Sequence, residues 1–159
     1  MSIAGIAVST LSELYERAEG RHKYPEGLEG NLLRFFLSFK KAFDNKNERT
    51  LSHLISNRYY SSSFVNKNKK DLVNYFGRVF DQLPFFIYPN LEIEICTEPD
   101  IVEGNLIYLV IMAFINLEIF AIPVDISRFP LGTDGRIGIL LEKDPASGVF
   151  RIVNMEALD

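Results

Sequence analysis

The sequence predicts an α+β fold in which N-terminal helices pack on a curved, mostly antiparallel sheet. Two observations predict it. Apolar residues recur at helical spacing up to about residue 83, and from residue 90 onward they recur at the period of two that marks a strand. The helical segments also come first and the strands follow one another with turn residues between them, which places the helices together on one face of a sheet. At 159 residues the chain is long enough for a core that needs neither disulfide nor metal.

The elements follow in order. Residues 10–18 predict a short helix with Leu11, Leu14, Tyr15 and Ala18 on one face, capped by Ser9 or Thr10, with Glu13 placed to complete a capping box. Residues 19–30 hold Gly20, Pro25, Gly27 and Gly30 and read as a loop. Residues 1–30 are therefore a short helix and loop ahead of a domain spanning 31–159. Asn31 opens a strong helix whose stripe is Leu32, Phe36, Phe39 and Phe43, widened by Leu33 and Phe35, with Lys40, Lys41 and Asp44 off the stripe or at its end. A second helix is expected over 48–56, burying Leu51, Leu54 and Ile55. A third is expected over 69–83, burying Leu72, Phe76, Val79 and Leu83 and closed by Pro84.

Beyond Pro84 the period changes. Leu91, Ile93 and Ile95 alternate with Asn90, Glu92 and Glu94, the pattern of a half-buried strand. Residues 98–100 and 103–105 carry turn chemistry. Residues 106–116 are apolar at both parities: Ile107, Leu109, Ile111, Ala113 and Ile115 point one way, and Leu106, Tyr108, Val110, Met112 and Phe114 the other. Such a strand must be covered on both faces, so the helices take one and a second subunit or layer the other. Residues 119–129 predict a strand bent at Pro123. Residues 136–143 and 149–156 predict the last two strands, joined by a hairpin loop at 144–148.

Composition narrows the function classes. Twenty-one acidic residues stand against 17 basic ones, a formal charge of −4, which disfavours nucleic acid as a partner. One cysteine, Cys96, excludes an internal disulfide and reads as a small buried hydrophobe. Cys96, His22 and His53 are in no metal-ligand spacing and there is no glycine-rich phosphate loop, so no metal and no cofactor are expected. The first residues lack a basic stretch ahead of an apolar one, which makes a cytoplasmic location the expectation. The longest apolar run, 106–115, is too short for a membrane span.

Three helices followed by a meander of long strands resemble the nuclear transport factor 2-like superfamily. This cone-shaped, cystatin-like fold is shared by ketosteroid isomerase, SnoaL-like cyclases and scytalone dehydratase. The stretch Asn31-Leu-Leu-Arg-Phe-Phe-Leu-Ser-Phe-Lys-Lys-Ala-Phe, followed by Thr50-Leu-Ser-His-Leu-Ile-Ser-Asn-Arg-Tyr-Tyr, is similar to the family's opening helix pair. Ile122-Pro-Val-Asp-Ile-Ser-Arg-Phe with Asp134-Gly-Arg-Ile is similar to its penultimate hairpin. The resemblance implies a pocket between the helices and the sheet. In isomerase-type members it also implies a carboxylate base just after the second helix and a tyrosine on the first long helix. Residues 57–64 contain no acid and residues 32–43 contain no tyrosine, so neither half of that proton-transfer chemistry is matched by position.

The pocket candidates are Phe39, Phe43, Phe76 and Phe80 on the helices, Tyr59 and Tyr60 after the second helix, and Met112 and Phe114 on the doubly apolar strand. Each also has a plain reading as core or edge cover. Glu118 and Asp125 interrupt the apolar sheet; a carboxylate facing a dry cavity would serve as acid or base, and a rim position would make it merely solvated. His53 is a base candidate with Asp125 as its orienter, against a surface histidine. The leading expectation is a small-molecule-binding or interaction domain that self-associates as a homodimer through its sheet and takes an apolar small molecule. The alternatives are a SnoaL-like isomerase, cyclase or hydrolase using Asp125 or Glu118, and an interaction module that docks a different protein on the sheet.

Overall fold

A computed structural model describes residues 30–63, 68–119, 122–123, 129–130 and 136–158. The expected helix at 10–18 lies outside them. Among the described residues three helices come first: α1 (Gly30–Asp44), α2 (Glu48–His53) and α3 (Lys69–Asp81). The strands are β1 (Ile87–Ile95), β2 (Asp100–Glu103), β3 (Leu106–Ile119), β4 (Ile122–Pro123), β5 (Phe129–Pro130), β6 (Arg136–Lys143) and β7 (Phe150–Ala157). They form one antiparallel sheet whose main path is β1-β3-β6-β7, with β2, β4 and β5 each paired to the long β3.

Local signals explain where the helices begin. The Asn47 side chain accepts the Thr50 N–H at 3.0 Å to start α2, and Asn68 and Asp71 form a reciprocal capping box at the start of α3. Helix α2 is shorter than the periodicity over 48–56 predicts. From Leu54 the chain leaves the helix and runs along the edge of β7: Ser56 donates its N–H to Ile152 O at 2.8 Å, Ile152 donates to Leu54 O at 2.9 Å, and Tyr60 donates to Val153 O at 3.2 Å. Pairing with a free strand edge satisfies these backbone groups better than a frayed last turn.

The core lies between the helices and the inner face of the sheet. Leu91, Ile93 and Ile95 of β1, Leu109, Ile111, Ala113 and Ile115 of β3, Ile137, Ile139 and Leu141 of β6, and Phe150, Ile152 and Met155 of β7 are all buried there. Against them pack Leu32, Phe35, Phe36, Phe39 and Phe43 of α1 and Leu72, Phe76 and Phe80 of α3. Phe43 ties the two helices together, meeting Phe76 edge-on with ring centroids 5.8 Å apart and Phe80 at 5.1 Å.

Three expectations are corrected. Lys40, placed off the apolar stripe by its charge, is 2% exposed, because buried acceptors receive it. Between the turns expected at 98–100 and 103–105 the chain forms the short strand β2, which takes in Asp100 and Glu103, while Gly104 at φ 53° makes the expected turn into β3. Cys96, expected to be buried, is exposed: Leu91, Ile93 and Ile95 face inward, so the next even-numbered position faces out.

Candidate functional site

The space between the helices and the sheet, where the resemblance implies a pocket, is nearly filled. Between α1 and the inner face of the sheet lies a cavity of about 20 Å³, lined by Phe35, Phe36 and Phe39 of α1 and by Leu91, Ile93, Ile111, Ala113, Ile137, Ile139, Ile152 and Met155 of the strands. That is room for about one water, and a wall of apolar side chains, with the Met155 thioether as its only side-chain heteroatom, offers a water no good hydrogen-bond partner. No titratable side chain lines it. In this state the cavity supports no acid–base chemistry; it suits small apolar matter.

The sequence candidates separate in space. Phe39 lines the cavity. Phe43, Phe76, Phe80 and Tyr59 are buried in the surrounding core, where burial pushes the Tyr59 phenol above its ordinary range and the Ser61 side chain opposes that rise. Tyr60 is 57% exposed and stands outside. Met112 and Phe114 lie at the opposite parity of β3 from the buried Ile111, Ala113 and Ile115, so they face the outer side of the sheet and not the cavity. Their pattern of alternation fixes this, since a strand has only two faces.

The proposed acids and base do not converge on the cavity. Glu118 is half-buried at the far end of β3 and accepts a hydrogen bond from Asn90 Nδ2 at 2.6 Å. His53 is exposed at the end of α2, where its backbone carbonyl accepts from Arg151 Nε at 3.3 Å. Asp125 lies outside the described residues. Among the described residues no group of three or more His, Cys, Asp or Glu is placed to hold a metal, and no helix is long and apolar enough to cross a membrane.

Two polar clusters were not anticipated from the sequence. The first caps the free edge of β1. Lys40 Nζ donates to Leu91 O at 2.6 Å, Asn90 Oδ1 at 2.6 Å and Asp44 Oδ2 at 2.8 Å, while Asp44 Oδ1 accepts the Leu91 N–H at 2.7 Å. Burial raises the Asp44 carboxyl to about 6, against the pull of Lys40 and the Leu91 N–H. The second cluster is a serine clasp. Glu156 accepts from the Ser62 N–H at 3.0 Å, the Ser62 hydroxyl at 3.0 Å, the Ser63 N–H at 2.8 Å, the Ser63 hydroxyl and Asn154 Nδ2 at 2.9 Å. Burial pushes Glu156 up, but the bonds from Ser63, Ser62 and Asn154 outweigh it and hold the group at about 2. Both clusters join residues more than forty positions apart, and no local spacing announces them.

No family model matches the sequence, and no curated protein matches it. Solved structures do. Aln2 from a Streptomyces species superposes with a TM-score of 0.64 at 9% identity, covering 84% of this chain and 92% of that one. ActVI-ORFA from Streptomyces coelicolor gives 0.62 at 10% identity, covering 83% and 94%. A protein from Novosphingobium aromaticivorans, provisionally described as a scytalone dehydratase, gives 0.59 at 13% identity, covering 79% of each chain. Likeness at such identities speaks to fold alone. The chain has the nuclear transport factor 2-like, SnoaL-like cone fold: N-terminal helices on a curved antiparallel sheet.

Proposed function

We propose that this chain is a non-catalytic binding domain of nuclear transport factor 2-like fold that pairs with a second copy through the outer face of its sheet. One observation carries the reading. Tyr108 and Met112 of β3 and Leu140 of β6 are partly exposed around Val110 at the centre of that face, while the described helices occupy the other face. An apolar row in mid-sheet is costly to leave in water, and a second sheet laid on it would remove about 800 Å² per partner, the usual size of a stable interface. The filled interior supports the non-catalytic half of the reading, because no described carboxylate or histidine faces the cavity.

Sedimentation velocity tests it. The wild-type chain is expected to run as a dimer at about 100 μM, and Met112→Glu as a monomer with an unchanged circular dichroism spectrum, since a charge at the centre of an apolar interface costs several kcal/mol. A wild-type monomer at that concentration overturns the proposal. The apolar lining of the cavity favours a second reading, an apolar small molecule held between α1 and the sheet after the Phe side chains shift. A thermal upshift with a small aromatic hydrocarbon, absent with its charged analogue, supports that reading.

A further inference from the structure

Three of the sheet's edges, those of β7, β1 and β2, are treated differently. The β7 edge is occupied by residues 54–60 through the Ser56, Ile152 and Tyr60 backbone bonds. At the β1 edge, the outward N–H and C=O of Leu91 are taken by Asp44 and Lys40. The third edge is β2, which pairs with β3 on one side and, among the described residues, with nothing on the other. All four of its residues are exposed, and Ile101 and Val102 show 72% and 56% of their surface. An open edge carrying exposed β-branched residues is a template for another strand.

The charges on this edge select the strand. Glu98, Asp100 and Glu103 are exposed, flank Ile101 and Val102, and make no ion pair with any described residue. A second copy of β2 laid antiparallel would set Asp100 opposite Glu103 twice over, and like charges facing across a ladder destabilise it. The same carboxylates favour cations at the flanking positions. We infer that the outer edge of β2 docks an extended segment of another protein in which lysine or arginine flanks a pair of apolar residues, added as a further strand. Main-chain bonds to the edge supply affinity, Ile101 and Val102 contact the apolar pair on the two faces, and the carboxylates fix register. This surface is distinct from the outer sheet face and does not depend on the pairing of copies there.

The test uses the full chain and three fluorescein-labelled synthetic peptides: Lys-Val-Ile-Lys within a neutral decapeptide, its counterpart with glutamate in place of lysine, and the lysine peptide with alternate backbone nitrogens methylated. Fluorescence anisotropy is expected to show binding of the first at least about tenfold tighter than either of the others. Hydrogen exchange is expected to slow at residues 100–103 in the complex. The variant Asp100→Lys/Glu103→Lys, altered only at exposed positions, is expected to lose the lysine peptide and gain the glutamate one. Equal binding of all three peptides, protection confined to another element, or undiminished binding by the variant overturns the inference. Equal binding of the methylated peptide alone overturns the strand mode and leaves a simple charge patch. Sedimentation of Glu103→Lys, which would set Asp100 opposite a lysine in the same antiparallel register, checks the copy-pairing alternative, which requires that variant to associate more tightly than wild type.

Discussion

Asp44 accepts the backbone N–H of Leu91 at 2.7 Å, and so stands where a neighbouring strand would stand at the edge of β1. One turn earlier on α1, Lys40 takes the carbonyl of the same residue. The pair, four residues apart on a helix, completes one rung of a missing ladder. It blocks the edge at Leu91 and fastens α1 to the sheet at the same point.

Removing the lysine should therefore cost more than a surface ion pair does. Lys40→Met leaves Asp44 half-buried without its cation and the Leu91 carbonyl without a donor. The expected loss is about 3 kcal/mol, the scale of breaking a buried pair by deleting one partner. Adding Asp44→Leu should return part of that loss, because the stranded charge goes too, and the two effects should be plainly non-additive. Urea unfolding of the two single variants and the double variant measures this; a loss below about 1 kcal/mol for Lys40→Met would show that the rung holds little.

Asp44 and Glu156 should bend the pH dependence of stability in opposite directions. The Asp44 carboxyl sits at about 6 in the folded chain against an ordinary 3.8, so the folded state binds its proton more tightly than the unfolded one. Its contribution to stability grows as pH falls through about 6 and is complete below 3.8. Glu156 sits at about 2 against 4.5, so its contribution is whole above 4.5 and drains away as pH falls toward 2. The urea midpoint is expected to rise on acidification, then fall. Asp44→Asn should flatten the rise and Glu156→Gln the fall, and the latter should also speed amide exchange at Ser62 and Ser63. A rise that survives Asp44→Asn assigns it to another group.

Tyr108 and Gly138 form a second close pair, on the outer face. A Cβ at position 138 would lie 2.5 Å from the Tyr108 hydroxyl and 3.2 Å from its ring carbons, so the ring lies across the bare glycine. Gly138→Ala must push the ring off, at an expected cost of about 1–2 kcal/mol. Combining it with Tyr108→Ser should cost less than the two changes summed. Thermal denaturation of the set decides; strict additivity would mean that the ring moves aside freely.

What the sequence made legible and what it did not divide along a physical line. The stripe of Leu32, Phe36, Phe39 and Phe43 and the alternation of Leu91, Ile93 and Ile95 are local patterns, and they placed α1 and β1 and the core face of each. The double apolarity of β3 is equally visible, but with both faces apolar the pattern does not say which one is the core, and so Met112 and Phe114 stand among the pocket candidates although they lie opposite the buried Ile111, Ala113 and Ile115. Lys40 was misplaced because charge was weighed above position. It stands four residues after Phe36 and three before Phe43, squarely in the stripe, yet the acceptors that make its burial tolerable are Asn90 and Leu91, fifty residues on. Cys96 was misplaced by residue type where parity gave the right face. How little space is left between α1 and the sheet depends on how aromatic side chains interlock, which no spacing rule encodes.

That interlocking can be undone deliberately. Phe39 lines the cavity and also meets Phe76 edge-on at 5.9 Å, so its ring is both wall and brace. Phe39→Ala should cost about 3–5 kcal/mol, from lost transfer energy and from the void that incomplete collapse leaves. The void would extend the existing apolar cavity, and an apolar space of benzene's size stays dry and takes such ligands. Saturating benzene should accordingly raise the melting temperature of Phe39→Ala by more than that of wild type, since a ligand stabilises the state it binds in proportion to its affinity for it. The opposite change is the control. Ala113→Val adds two methyl-sized groups to a wall with room for about one water, and should cost about 1–3 kcal/mol from overpacking. A larger loss there, with no benzene response in Phe39→Ala, would mean that the walls are rigid and that α1 closes onto the sheet when its ring is removed.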